Sequence, residues 1–137
     1  MDTDHCVALL RGALDLRQVI SPTEELAVTS VSVAELLYGA HKSQRVADNL
    51  ASVDALLSVL TILDFDEPAA RRYGHLRASL EKVGQRLYDL DLQIASIALA
   101  WEADLVTHNQ GHYERLVKLA NLKLEDWLKN IKNTEPK

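Results

Sequence analysis

The stretch ELAVTSVSVAELLYG, Glu25 to Gly39, holds the pattern on which the fold turns. Glu25–Thr29 is a short run with β-type side chains, and it passes without a linker into a segment that starts at Ser32 and carries Leu36, Leu37 and Tyr38 on a helical repeat. A strand that feeds directly into a helix is half of a βαβ unit. Repeated along a chain, it gives a parallel sheet covered by helices.

The same alternation continues outward in both directions. Upstream, a helix is expected from Asp4 or His5 to about Arg11, with Gly12 as its stop. Downstream, Val46, Leu50, Val53, Leu57 and Leu60 repeat at helical spacing, and Thr61–Phe65 reads as a strand. Asp66-Glu67-Pro68 combines a capping residue, a first-turn acid and an early proline, which is a strong helix start. That helix carries Tyr73, Leu76, Leu80 and Val83 and stops near Gly84. Another begins at Asp89 or Leu90 and runs through Ile94, Ile97 and Ala98 to Trp101, with Asp89 suited to the cap. Asp104–Thr107 reads as a strand, Gly111–Leu119 as a short helix, and Leu122–Leu124 as the last strand.

The chain has 137 residues, 47% of them apolar and 26% charged, which suits one domain with a real core. We expect that domain over residues 1–131 and a polar tail over 132–137. The single cysteine, Cys6, excludes an intrachain disulfide and fits a reducing cytoplasm; among Val7, Leu9 and Leu10 it reads as a small buried hydrophobe. No signal pattern and no apolar run of membrane-spanning length is present. A net charge of −5 argues against a protein that grips nucleic acid by basic charge alone. It leaves open an enzyme whose acids carry cations, because a bound metal reverses the local sign.

Ligand and catalytic groups of open parallel sheets gather beyond the carboxyl ends of the strands. Glu35, the loop from Asn109 to His112, and Asp2 fall at such positions. Asp2 raises a difficulty, since only Met1 precedes it where a central strand needs several apolar residues; a longer native chain is the expectation. Converging carboxylates suit Mg²⁺ or Mn²⁺, hard cations that prefer oxygen. Zinc-protease, phosphate-loop and nucleophile-elbow patterns are missing from the sequence. Each acid also has a structural reading. Asp4 suits a helix cap. Ser32-Val-Ala-Glu35 is a capping-box pattern. Asp91 sits in a first turn, where the helix dipole favours a carboxylate. Arg71, Arg72 and Arg77 read as a solvated helix face.

Four segments in order resemble the motifs of PIN-domain proteins, most closely the VapC-type toxins of toxin–antitoxin pairs: Asp2-Thr3-Asp4, Ser32 to Gly39, Asp91-Leu92-Gln93-Ile94-Ala95, and Thr107-His108-Asn109, with Leu-Glu-Asp-Trp around Trp127 as the close. The resemblance implies an α/β three-layer sandwich with a central, mostly parallel sheet flanked by helices. It implies a metal-dependent endoribonuclease acting through a metal-activated water, inhibited by an antitoxin partner and dimeric. By the same resemblance Asp2, Glu35 and Asp91 match the metal-site acids for Mg²⁺ or Mn²⁺, Asn109 joins the catalytic set, and Thr3, Thr107 and His112 are expected at the substrate. His112 stands where many relatives carry a fourth acid. That departure keeps a second reading open, a weak or inactive PIN-like module that binds RNA or protein. A phosphatase reading of Asp2-Thr3-Asp4 fails, because that motif needs a strong strand before it.

Overall fold

The computed structural model describes residues 1–129; residues 130–131 and the expected tail 132–137 lie outside the described residues. The elements follow the alternation of the sequence: α1 (Thr3–Leu10), β1 (Ala27–Thr29), α2 (Ser30–His41), α3 (Val46–Leu57), β2 (Thr61–Leu63), α4 (Glu67–Lys82), α5 (Asp89–Ala100), β3 (Leu105–Val106), α6 (Gln110–Ala120) and β4 (Leu124–Glu125). The boundaries sit at local chemistry. Thr29 Oγ1 accepts from the Ser32 amide at the start of α2, and Asp66 Oδ1 from the Ala69 amide at the start of α4, 3.1 Å each. Gly84 follows α4 with φ +69°, and Asn121 closes α6 in the left-handed region at φ 56°.

β1 pairs with β2 and β3 with β4, both in parallel. The two pairs are joined through the first two residues of the chain. The Met1 nitrogen donates to the Ala27 carbonyl at 2.7 Å, and the Asp2 amide donates to the Val106 carbonyl at 2.8 Å. Two residues thus do the bridging expected of a central strand, which meets the difficulty at Asp2. Strand side chains alternate between faces. Accordingly Val28 and Val106 enter one core with Cys6, Leu36 and Val53, from α1, α2 and α3. Leu63 and Leu105 enter the other with Leu76, Ile94, Ile97 and Leu116, from α4, α5 and α6. The result is a three-layer α/β arrangement, as expected. Strands are shorter than the sequence suggests, and the last is displaced to Leu124–Glu125. Among the described residues no helix is long and apolar enough to cross a membrane.

Three capping expectations change. Thr29, rather than Ser32, caps α2, so Glu35 lies in the second turn and has no capping role. Asp2, rather than Asp4, caps α1 through a 2.8 Å bond from the Thr3 amide. Tyr88, rather than Asp89, stands at the cap of α5; Asp89 instead accepts from the Tyr73 hydroxyl and from Gln93 Nε2. Cys6 is fully buried and burial pushes its thiol up to about 11, in keeping with the hydrophobe reading.

Candidate metal and nuclease site

The parallel strands deliver Asp2, Thr29 and Thr107 to one edge of the sheet, and the helices after them supply the rest. Asp2 is only 5% exposed. Its Oδ2 accepts from the Thr107 hydroxyl at 2.8 Å. The hydroxyl of Tyr113, a buried side chain on α6, lies 3.3 Å from Asp2 Oδ2 and 3.3 Å from Asp91 Oδ1. Two carboxylates therefore compete for one phenolic hydrogen. Glu35 enters through Thr3, whose hydroxyl donates to Glu35 Oε1 at 3.0 Å. On the open side, His112 Nδ1 approaches Asp91 Oδ2 at 3.3 Å.

The electrostatics express this crowding. Burial raises the pKa of Asp2 first, and the charges of Asp4 and Asp91 add to it, against the hydrogen bonds from Thr107 and Thr3. Burial likewise raises Glu35, with Asp2, Asp91 and Asp4 repelling its charge and the Thr3 bond opposing the rise. Tyr113 is pushed far up by burial and by Asp2 and Asp91, so it stays a protonated donor. Asp4 goes the other way. Burial would raise it, but hydrogen bonds from His5 and from the His108 amide hold its carboxyl below the usual range.

The sequence-selected residues divide accordingly. Asp2, Asp91 and His112 meet around Tyr113, and Glu35 joins them through Thr3. Thr107 is fully buried with its hydroxyl given to Asp2, and Thr3 is engaged with Glu35, so both hydroxyls orient acids in this structure. Asn109 contributes a backbone amide to Thr107 Oγ1 at 3.1 Å, while its side chain makes no bond at the start of α6. Tyr113 was not legible in the sequence: with Leu116 one turn on, it looks like a core aromatic. His5 was also missed. It is fully buried, bonds Asp4 through Nδ1 at 2.7 Å, and accepts the Trp127 amide on Nε2 at 3.1 Å.

Among the described residues no three His, Cys, Asp or Glu side chains form a ready-made metal cage. Mg²⁺ does not require one, since it takes one or two carboxylates and keeps several waters. The donors fit such an ion. They are hard oxygens, two of which share the Tyr113 hydroxyl, and the neighbouring carboxylates help to raise the pKa of Asp2 and of Glu35.

The family model described as PIN domain matches residues 1–118. The chain belongs to the PIN-domain family. Within it the similarity is to VapC proteins. Ribonuclease VapC2 of Rickettsia felis is 36% identical over 131 residues, 93% of this chain and 96% of that protein. The tRNA(fMet)-specific endonuclease VapC of Shigella flexneri is 32% identical, again over 93% and 96%. The crystal structure of VapBC2 from Rickettsia felis, bound to a DNA fragment from its promoter, superposes with a TM-score of 0.80 at 35% identity, over 92% of this chain and 96% of that one. This PIN domain therefore matches VapC relatives along nearly their whole length.

Proposed function

We propose that this PIN-domain protein is a divalent-metal-dependent endoribonuclease and the toxin partner of a toxin–antitoxin pair. The observation that carries the reading is the meeting of Asp2 and Asp91 at the Tyr113 hydroxyl, with Glu35 tied in through Thr3. Its VapC relatives are named as ribonucleases, and the Rickettsia felis structure is of a VapBC assembly, which supports RNA as substrate and an antitoxin as partner.

Asp2 and Asp91 would hold Mg²⁺ or Mn²⁺, with Glu35 reaching the same ion directly or through water. Such an ion, when bound, supplies Lewis-acid activation of water and neutralises charge on phosphate oxygens. The chain's own groups do the rest. Thr107 and Tyr113 fix the orientation of Asp2, and Thr3 fixes that of Glu35. His112, exposed beside Asp91, would donate to a substrate phosphate or act as an acid.

The test is Asp91→Asn. RNA cleavage in Mg²⁺ or Mn²⁺ should fall by more than about a hundredfold, beyond the 10–100-fold typical of an outer partner, while circular dichroism stays unchanged. Undiminished cleavage rejects the assignment. The absence of a ready cage among the described residues favours, as a second reading, a PIN-like module that binds without cutting. Calorimetry separates the two, because that module would show neither specific Mn²⁺ binding nor cleavage.

A further inference from the structure

Two grooves open from the Thr3–Glu35 corner of the site. One, of about 440 Å³, runs between α1, α2 and α3; there Val7, Leu10 and Val53 are joined by Arg11, Asn49 and Ser52 but by no aromatic ring, and Lys42 borders both grooves. The other, of about 680 Å³, lies between α2 and the start of α5 and carries Tyr38, Tyr88, Leu90, Gln93 and Lys42. Its size is that of a pocket for a small organic ligand. Tyr38 and Tyr88 are 66% and 67% exposed. The chain has only four tyrosines, so two open rings in one groove are not a by-product of an aromatic-rich surface.

Their positions tie them to the acids. Tyr38 lies three residues after Glu35 on α2, and Tyr88 three residues before Asp91 at the start of α5. Each ring is thus about one helical turn from a site carboxylate. Lys42 comes one more turn after Tyr38, with its ammonium 5.1 Å from the centre of that ring. A nucleic-acid strand with one phosphate at the acids must carry its neighbouring nucleotides across an adjoining surface. Of the two grooves, only this one offers π-faces for bases together with a cation for the next phosphate.

We propose that this groove is the subsite for the unpaired nucleotides flanking the scissile phosphate, with bases stacking on Tyr38 and Tyr88 and Lys42 meeting the adjacent phosphate. The inference rests on the ribonuclease reading and adds which side chains hold the nucleotides beside the cut. Base faces are open to stacking only when unpaired, and stacking on aromatic rings tolerates any base.

The experiment measures binding, in Mg²⁺, of a short single-stranded RNA that carries 2-aminopurine and a cleavage-resistant backbone, so that the acids stay unaltered and the strand is not cut. Adding Tyr38→Ala and Tyr88→Ala should raise Kd about tenfold or more and relieve the 2-aminopurine quenching. Tyr38→Phe and Tyr88→Phe, which keep the rings, should restore both. With an RNA that can be cut, the alanine variants should raise KM far more than they lower kcat. The same RNA annealed to its complement should compete poorly. Unchanged Kd in the double alanine variant overturns the subsite and leaves the groove to a protein partner. Failure of the unaltered chain to cut any RNA with Mg²⁺ overturns the ribonuclease reading itself, a result separate from the quenching.

Discussion

Burial, with the charges of Asp4 and Asp91, raises the pKa of Asp2, and this has a measurable consequence. A carboxyl group whose folded pKa is raised binds its proton more tightly in the folded state. Its contribution to stability is therefore fullest below the ordinary aspartate pKa of about 3.9 and falls as pH rises through the folded value. Glu35 acts in the same direction. Asp4, held low, loses its contribution only as pH falls below the ordinary carboxylate range, outside that window. Metal-free protein should accordingly gain Tm when pH drops from neutral to mildly acidic. Asp2→Asn removes the Asp2 share of this cost, so its Tm in EDTA at neutral pH should exceed that of the unaltered chain. Mg²⁺ should then raise the Tm of the unaltered chain, by the equivalent of about 2.7 kcal/mol at a hundredfold excess over Kd, and leave the variant where it was. An equal Mg²⁺ response in both would remove Asp2 from the metal site. Tyr113→Phe tests the shared hydroxyl. Loss of a donor to two carboxylates should weaken Mg²⁺ affinity or cleavage about 10–100-fold with little change of fold, and calorimetry with Mn²⁺ reads it directly. The sequence could not point to this residue. A tyrosine on an apolar helical face satisfies the core pattern whether or not its oxygen has a task, and its two partners are 111 and 22 residues away. The acids were legible because each begins or succeeds an element, where the motif order places them.

At the scale of elements, β4 is a two-residue strand, and the segment after it is held to α1 by a side chain. His5 Nε2 accepts the Trp127 amide, so the neutral ring carries its hydrogen on Nδ1 and gives it to Asp4. The His5 and Trp127 rings meet edge to face at 5.8 Å. Asp126, bonded to His108 Nδ1 at 2.9 Å, fixes the same segment to the loop after β3. His5→Ala should cost about 3 kcal/mol, from a lost buried hydrogen bond and the cavity left behind. The check is a urea titration monitored by Trp127 emission in a Trp101→Phe background, since Trp101 is already exposed. A red-shifted folded baseline with a lower midpoint is expected; an unchanged curve shows that β4 does not depend on the latch. Most elements were legible, because strand-to-helix transitions such as Thr29–Ser30 and the Asp66-Glu67-Pro68 start are local chemistry. Assigning caps at Ser32 and Asp89 failed. The α2 cap falls three residues earlier, at Thr29, whose hydroxyl also donates to Ser32 Oγ; α5 starts one residue earlier than a cap at Asp89 allows, and that side chain accepts instead from Tyr73, 16 residues away.

Over the whole molecule, the sheet among the described residues is continuous only through Met1 and Asp2, whose main-chain bonds to Ala27 and Val106 cross 26 and 104 residues of sequence. No periodicity announces such a junction, although the α/β class itself was plain from the alternation around Glu25–Gly39. The junction also sets the electrostatics, because it fixes Asp2 among acids in a chain of net charge −5. A protein with that balance has few cations to exchange for counterions on RNA. With about two phosphate contacts, the slope of log K against log salt on a single strand should be near −1.4, shallower than for a basic nucleic-acid binder. The divalent ion then carries the rest of the attraction, by turning a cluster that repels phosphate into one that accepts it. Affinity for a single-stranded RNA with a cleavage-resistant backbone should therefore fall only about fivefold between ~50 and ~150 mM KCl, but drop steeply when EDTA removes Mg²⁺. A steep salt slope with no response to EDTA would mean that the strand is held by the arginine face of α4 instead, and that the acids at the sheet edge do not meet the backbone.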